Sequence, residues 1–488
     1  MTQTILIDRA LVLAAEGFRP GAVLIDGPTI AAVAFTDDEA AQLRSRAAQH
    51  VRGAGCWLIP GLIDAHAHGY ATLLRGTENS LPLELWALYT TLYGRGYDDS
   101  AIRAAILLGA AERIRAGITG VIDHTPMVHL GRTALDAHER SGLRVGYAAF
   151  LQDVSDYDLL DIKLPPALMH RLGGPPPLDA DAYADRFSEL VQTARAGSGR
   201  VAVQLGPNAP QRCSPEAWDL WRELRDRHGV PVHMHLMETR AQALIGQRKW
   251  RGGLIREIER QGLLEGDVAA AHGIWLTADE RDRLARHGAT IVHNPASNLM
   301  LGSGVMPLAQ WRAAGANIAL GTDSANTGGR HDLFEAMRLA MMLPRVATTD
   351  HTAWPRASEI LAMATRQAAP VLGLTGRLGT IAPGQLADLV LVRHDQPATL
   401  PMQHNEAALV QSASPDAVDS VMVNGAWVMR ARRILAFDEA AALAEAEAAA
   451  DAIRTRAAAE LPVLDAALPG LAERLRAVLA AYAEGQTR

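Results

Sequence analysis

Short apolar runs alternate with longer amphipathic ones through the middle of the chain. The apolar runs are CWLIPGLIDAH (56–66), GITGVIDHT (117–125), LRVGYAAF (143–150), RVAVQLGP (200–207), VPVHMHL (230–236), DVAAAHG (267–273), GATIVHNP (288–295) and ANIALGTD (316–323). Their length and turn-forming flanks predict strands. Stretches with helical spacing lie between them, such as SAIRAAILLGAAERIRAG (100–117) and TADERDRLARHG (277–288). Repeated strand-then-helix order predicts a parallel sheet, and eight units predict an α/β fold closed as a (β/α)8 TIM barrel.

Both chain ends follow a different pattern. TILIDRALVLA and GAVLIDGPTIAAV give the first fifty or so residues a strand character, with a hairpin signal at Asp26-Gly27. ADLVLVR (387–393) and SVMVNGAWVMR (420–430) repeat it late, with Asn424-Gly425 at the second turn. Neither end makes a core alone, so the two are expected to form one small β-sandwich. This divides the chain into 1–57 and 376–435 (sandwich), 58–375 (barrel) and 436–488, an Ala/Glu/Arg-rich tail read as surface helices interrupted at Pro462 and Pro469.

Composition narrows the function classes. The 488 residues are 49% hydrophobic with a formal charge of −7, and no basic block suggests nucleic acid. Cys56 and Cys213 form neither a disulfide framework nor a thiolate metal site. No uncharged apolar stretch reaches the ~18 residues of a membrane span, and the N-terminus has no signal-peptide pattern. The expectation is a cytoplasmic protein without nucleic-acid or membrane partners. Lys163 and Lys249 are the only lysines.

The candidate chemistry sits at the strand ends, the rim where barrels place active sites. His66 and His68 are one residue apart at the end of the first run, so in a strand they share a face and converge. The fifth run, VHMHLMET, adds His233, His235 and Glu238; the sixth ends in His272 and the eighth in Asp323. Singly, each has a bland alternative: a core histidine, a solvated helix-start carboxylate, a turn aspartate. Their recurrence at successive strand ends argues for one shared site.

The order HxH, HxHxxE, HG, HNPASNLMLGSG, GTD resembles the amidohydrolase superfamily. The resemblance runs from about residue 2 to about 435 and includes PGLIDAHAH, LLRGTENSLPLELW, GPNAPQRCSPE, HMHLMETRAQ, GTDSANTGG and LGTIAPGQLADLVLV. Within that superfamily the chain looks like the branch of cytosine, guanine and S-adenosylhomocysteine deaminases and s-triazine hydrolases. The resemblance implies that His66, His68, His235 and Asp323 ligate a metal, and that Glu238 and His272, with Asp323, are catalytic. The fourth strand has no lysine to bridge two metals, so one divalent cation is expected. Zinc is the first choice for three nitrogens and a carboxylate, and iron the second. The implied reaction is deamination of an aminated purine, pyrimidine or triazine by hydroxide generated at the cation. The alternative is displacement of chloride or alkylamine from a triazine, or cleavage of a urea or amide. Relatives are commonly dimers, which makes a homo-oligomer the expectation.

Two departures bear on substrate. Asn208 and Gln211 stand in PNAPQRCS where relatives of the adenosine type carry histidine and tyrosine, and GTDSANTGG replaces GTDGAASN. Trp86, Asn208, His293 and Asn326 are the candidate substrate contacts, and His124 reads as a structural histidine beside them. The Pro/Gly-rich segment 151–180 reads as a loop or lid over the barrel mouth.

Overall fold

The computed structural model describes residues 4–172, 177–265 and 267–486. The part of the expected lid at 173–176 lies outside the described residues. Eight strands form one sheet in sequence order: Leu62–Ala67, Ile118–Thr125, Arg144–Leu151, Val201–Pro207, Val232–Leu236, Val268–His272, Thr290–His293 and Asn317–Leu320. Every neighbouring pair is parallel. The two edges meet through a parallel bridge between Ala67 and Asp323, whose N–H donates to the His66 carbonyl at 2.9 Å. The barrel is therefore closed beside the HxH motif. Its interior is filled by modest side chains, Ile63, Ala65, Ile122, Ala148, Ala271, Val292 and Ala319. A larger apolar layer lies between the strands and the surrounding helices. Each fully buried leucine or isoleucine there stabilises the fold by roughly 1.5–3 kcal/mol.

The first apolar run is two strands. Cys56–Pro60 belongs to a second sheet and Leu62–Ala67 to the barrel, with Gly61 between them. A Cβ on Gly61 would collide with the Thr119 side chain, which explains the glycine. The second sheet is a single nine-stranded mixed sheet from both chain ends. Cys56–Pro60 pairs parallel with Ile5–Ala14 on one side and antiparallel with Leu389–Arg393 on the other. Both hairpins occur at the expected turns: Gly17–Asp26 pairs with Thr29–Ala34, and Val418–Val423 with Ala426–Arg430. Asn424 and Gly425 both have positive φ, the conformation a tight hairpin of this kind requires.

Two features depart from the sequence reading. The N-terminal segment also holds a helix, Asp37–Arg46, started by a reciprocal Thr36–Glu39 capping box. In the tail, helices Glu439–Ala457 and Leu461–Gln486 break at 458–460, so Pro462 sits in the first turn of the second helix and Pro469 lies inside it. Only the first position suits proline. No described helix is long and apolar enough to cross a membrane.

Candidate active site

Barrel closure brings the strand-end side chains together. The ligand-type atoms of His66, His68, His124 and His235 lie within 4.8 Å of one another, as do those of His66, His272 and Asp323. His66 Nε2 is 3.5 Å and His68 Nε2 3.4 Å from Asp323 Oδ1. All are buried.

The hydrogen bonds behind these rings fix which nitrogen faces the centre. His68 Nδ1 lies against the His124 carbonyl, and His235 Nδ1 is 2.7 Å from the Asn208 carbonyl and 2.9 Å from its Oδ1. A carbonyl only accepts, so both Nδ1 atoms carry a hydrogen, and in the neutral ring the Nε2 atom then presents a lone pair. Those two Nε2 atoms face each other at 3.2 Å. Two lone pairs held that close repel unless a cation lies between or beside them. His66 Nδ1 is 2.7 Å from His233 Nε2, and its own Nε2 is buried, makes no hydrogen bond within the protein and faces Asp323. Burial holds the His66 imidazole at about 4 and pushes His235 well below the usual histidine value, so both are neutral donors at neutral pH. Burial pushes the Asp323 carboxyl up, but the imidazoles of His66, His272 and His68 outweigh it and hold the group well below the ordinary carboxylate range. Three imidazole nitrogens and one carboxylate are a donor set that fits a divalent cation.

Glu238 flanks this cluster. Its Oε2 is 3.6 Å from His272 Nε2, which is 3.8 Å from Asp323 Oδ2. Ser303 Oγ donates to Glu238 Oε1 at 3.2 Å. Burial raises the Glu238 carboxyl to about 7, where it exchanges protons readily near neutrality. His272 Nδ1 donates to Asn298 Oδ1 at 2.8 Å, leaving Nε2 toward the centre between the two carboxylates with no hydrogen bond of its own. His272 and Asp323 both have positive φ, 75° and 62°. Such conformations cost about 1–3 kcal/mol each, and they turn these two side chains in from their strand ends.

The four candidate substrate contacts separate into two kinds. Asn208 is turned behind the cluster: its Oδ1 also accepts from Arg212 Nη1 at 3.2 Å, and its Nδ2 donates to Gln152. Trp86 Nε1, His293 Nδ1 and Asn326 Oδ1 are buried polar atoms with no protein partner. Trp86 also packs with Leu83 and Leu301, so its ring serves the core as well. Asn326 Nδ2 donates to Thr90, tying the loop after the eighth strand to helix Leu83–Gly94. His124 packs on Phe150 with ring centres 4.2 Å apart, and its Nε2 is 3.3 Å from the Gly206 carbonyl.

Several supporting residues carry no individual signal in the sequence. Asn298 and Ser303 lie inside HNPASNLMLGSG, but nothing in the motif shows that one orients His272 and the other Glu238. Asp64 accepts from the Thr322 N–H at 2.8 Å and its hydroxyl at 2.6 Å, and pairs with buried Arg113 at 3.4 Å. This pins the residue before Asp323. The one usable hint is that a charged residue stands two positions before His66 in an otherwise apolar strand.

Residues 57–428 match the Amidohydrolase family. A 5-methylthioadenosine/S-adenosylhomocysteine deaminase of Desulforudis audaxviator is 34% identical over 399 residues, 80% of this chain and 86% of that protein. A 5'-deoxyadenosine deaminase of Methanothermobacter thermautotrophicus is 32% identical over 455 residues, 92% of this chain and 98% of that protein. An adenosine deaminase from Xanthomonas campestris, solved with bound zinc, superposes with a TM-score of 0.82 at 28% identity, covering 92% of this chain and 98% of that one. Two-ended sheet, closed barrel, buried histidine–aspartate cluster and these likenesses lead to one conclusion: the chain belongs to the amidohydrolase family.

Proposed function

We propose that the chain is a metal-dependent aminohydrolase that removes ammonia from an aminated heteroaromatic ring, with an adenine-type purine as the first candidate. It is a hydrolase of C–N bonds acting on a small molecule. The observation that carries the metal is the 3.2 Å approach of the His68 and His235 Nε2 atoms, both lone-pair bearing in the neutral ring, beside Asp323. The adenine base is supported by the names of the relatives. Zinc is the proposed cation, held by His66, His68, His235 and Asp323. A cytoplasmic homodimer is the proposed state.

His66, His68, His235 and Asp323 would hold a divalent cation, which would lower the pKa of water from ~15.7 towards ~7 and so supply a nucleophile at neutral pH. Glu238 accepts a proton from the attacking water and delivers it to the ring nitrogen next to the amino-bearing carbon. His272, with its Nδ1–H committed to Asn298, accepts a hydrogen bond at Nε2 and orients the attacking oxygen. Asp323 takes the second water proton and returns it to the amino group. The carbon–nitrogen bond then breaks, ammonia leaves, and a ring carbonyl remains. Trp86, His293 and Asn326 each have a polar atom available to the ring or its substituents.

Ammonia release measured over adenosine, 5'-deoxyadenosine, cytosine, guanine, an aminotriazine, a chlorotriazine and an arylurea tests the proposal. Ammonia from an adenine-type probe supports it. Turnover confined to chlorotriazine or arylurea, with no ammonia from any aminated ring, overturns it in favour of the other hydrolase chemistry.

A further inference from the structure

A cleft of about 710 Å³ is lined by Thr239, the residue after Glu238, and by Ser303. Ser303 Oγ donates to Glu238 Oε1 at 3.2 Å, so the lining touches the Glu238 carboxyl through one hydrogen bond. Its walls include Arg240, Trp275, Arg281 and Leu479. The Trp275 ring is fixed by its Nε1–H, which donates to the Ser303 carbonyl at 2.7 Å. The Arg240 guanidinium lies 4.7 Å from the centre of that ring. Arg281 spends one N–H on the Leu276 carbonyl at 2.5 Å.

The charge balance of this cleft is uneven. Among the described residues no carboxylate reaches ion-pair distance of Arg240 or Arg281. Asp282 and Glu280 act on Arg281 as neighbouring charges without pairing with it; Glu280 accepts from the Thr277 backbone and hydroxyl, and Asp279 pairs with Arg256 and Arg283. Glu84 also borders the cleft, but it accepts from Thr239 Oγ1 at 2.6 Å and burial favours its neutral form. Two guanidiniums with unused donors thus line a cavity that also holds Ser303, the hydrogen-bond partner of the proton-transfer group.

Leu479 comes from helix Leu461–Gln486, which lies beyond the residues matched to the family. That helix is held over the barrel mouth by buried Leu464, Leu471 and Leu475, by Tyr89 donating to Asp465 Oδ1 at 2.7 Å, and by Arg474 donating to the Lys163 carbonyl at 2.9 Å. The tail is therefore a wall of the cleft.

We propose that this cleft is the subsite for the far end of the substrate, and that Arg240 and Arg281 select an anionic group there, with the C-terminal helix limiting its length. This rests on the aminohydrolase reading. Arg240 and Arg281 are specificity-determining residues, remote from the reacting carbon.

The test compares ammonia release from four probes that share one base: adenosine and 5'-methylthioadenosine, which are uncharged, S-adenosylhomocysteine, which carries a carboxylate, and adenosine 5'-monophosphate, which carries a phosphate. The wild type is expected to favour at least one of the two probes with an anionic group, the zwitterionic S-adenosylhomocysteine or the monophosphate, over both uncharged ones by tenfold or more in kcat/KM, and the favoured probe identifies the group. The Arg240→Gln/Arg281→Gln double variant is expected to lower that ratio at least tenfold, chiefly through KM, with its melting temperature unchanged. Leu479→Trp is expected to penalise S-adenosylhomocysteine more than adenosine. Equal kcat/KM for the uncharged probes and those with an anionic group, or an equal fall for both in the double variant, overturns the subsite and leaves the aminohydrolase reading standing. No ammonia from any of the four probes overturns both.

Discussion

Glu238 is the residue on which chemistry and structure can be separated most cleanly. Its carboxyl contacts Ser303 and lies near His272, but it is not among the four groups proposed to hold the cation. Glu238→Gln is expected to keep fold and metal while losing about 10²–10⁴-fold in kcat, the usual contribution of a positioned proton-transfer group; metal analysis beside steady-state kinetics checks it. The sign of its pH effect follows from its role. The working form accepts a proton and is therefore ionised, so kcat/KM falls as pH falls through the Glu238 pKa. Burial places that value at about 7, and a neighbouring cation draws it down towards the ordinary 4.5. An acid limb between those limits is expected in the pH profile, and activity flat down to pH 4 would contradict the role. At this scale the sequence was legible where spacing alone carried meaning. His66, His68, His235, Glu238, His272 and Asp323 all stand at strand ends, and the barrel brings them together. Asn208 was not legible as a partner of His235, because an asparagine after a strand can face inward or back, and only the path of the chain decides. Asn298 and Ser303 were hidden for the same reason.

At the scale of elements, barrel and terminal sheet share a continuous apolar core and one buried ion pair. Arg144, on the third barrel strand, donates to both oxygens of Asp388 at 2.7 and 2.9 Å, and Asp388 also accepts from the Asn424 N–H at 2.7 Å. Removing one partner strands an uncompensated buried charge. Arg144→Met is therefore expected to cost about 3–5 kcal/mol of stability by denaturant unfolding, while the metal content of the folded fraction is unchanged. A loss under 1 kcal/mol would show that Asp388 is satisfied without it. The barrel strands were readable because continuous apolar runs alternate with amphipathic helices. The split of residues 56–66 into two strands was not, since the apolar run continues across Gly61 from Trp57 to Ile63 and the division depends on how close Thr119 comes to Gly61. The helix at 37–46 carried a capping signature, Thr36-Asp-Asp-Glu39, that its polar content masked.

The whole molecule is organised so that distant segments meet at one point, and a bound cation should stabilise the assembled chain. Because an unfolded chain lacks the assembled site, a metal present at a thousand times its Kd adds about 4 kcal/mol. Chelation is expected to abolish ammonia release and lower the melting temperature, and re-addition of zinc to restore both; thermal unfolding followed in parallel with activity checks it. His66 and Asp323 stand at opposite ends of the barrel sequence and are neighbours only because the eighth strand closes on the first. The central claim is therefore spatial, and anomalous X-ray diffraction from crystals of the purified protein tests it most directly. The account predicts one strong peak about 2.0–2.2 Å from Nε2 of His66, His68 and His235 and from a carboxylate oxygen of Asp323. An active preparation with no peak among these four side chains would contradict it.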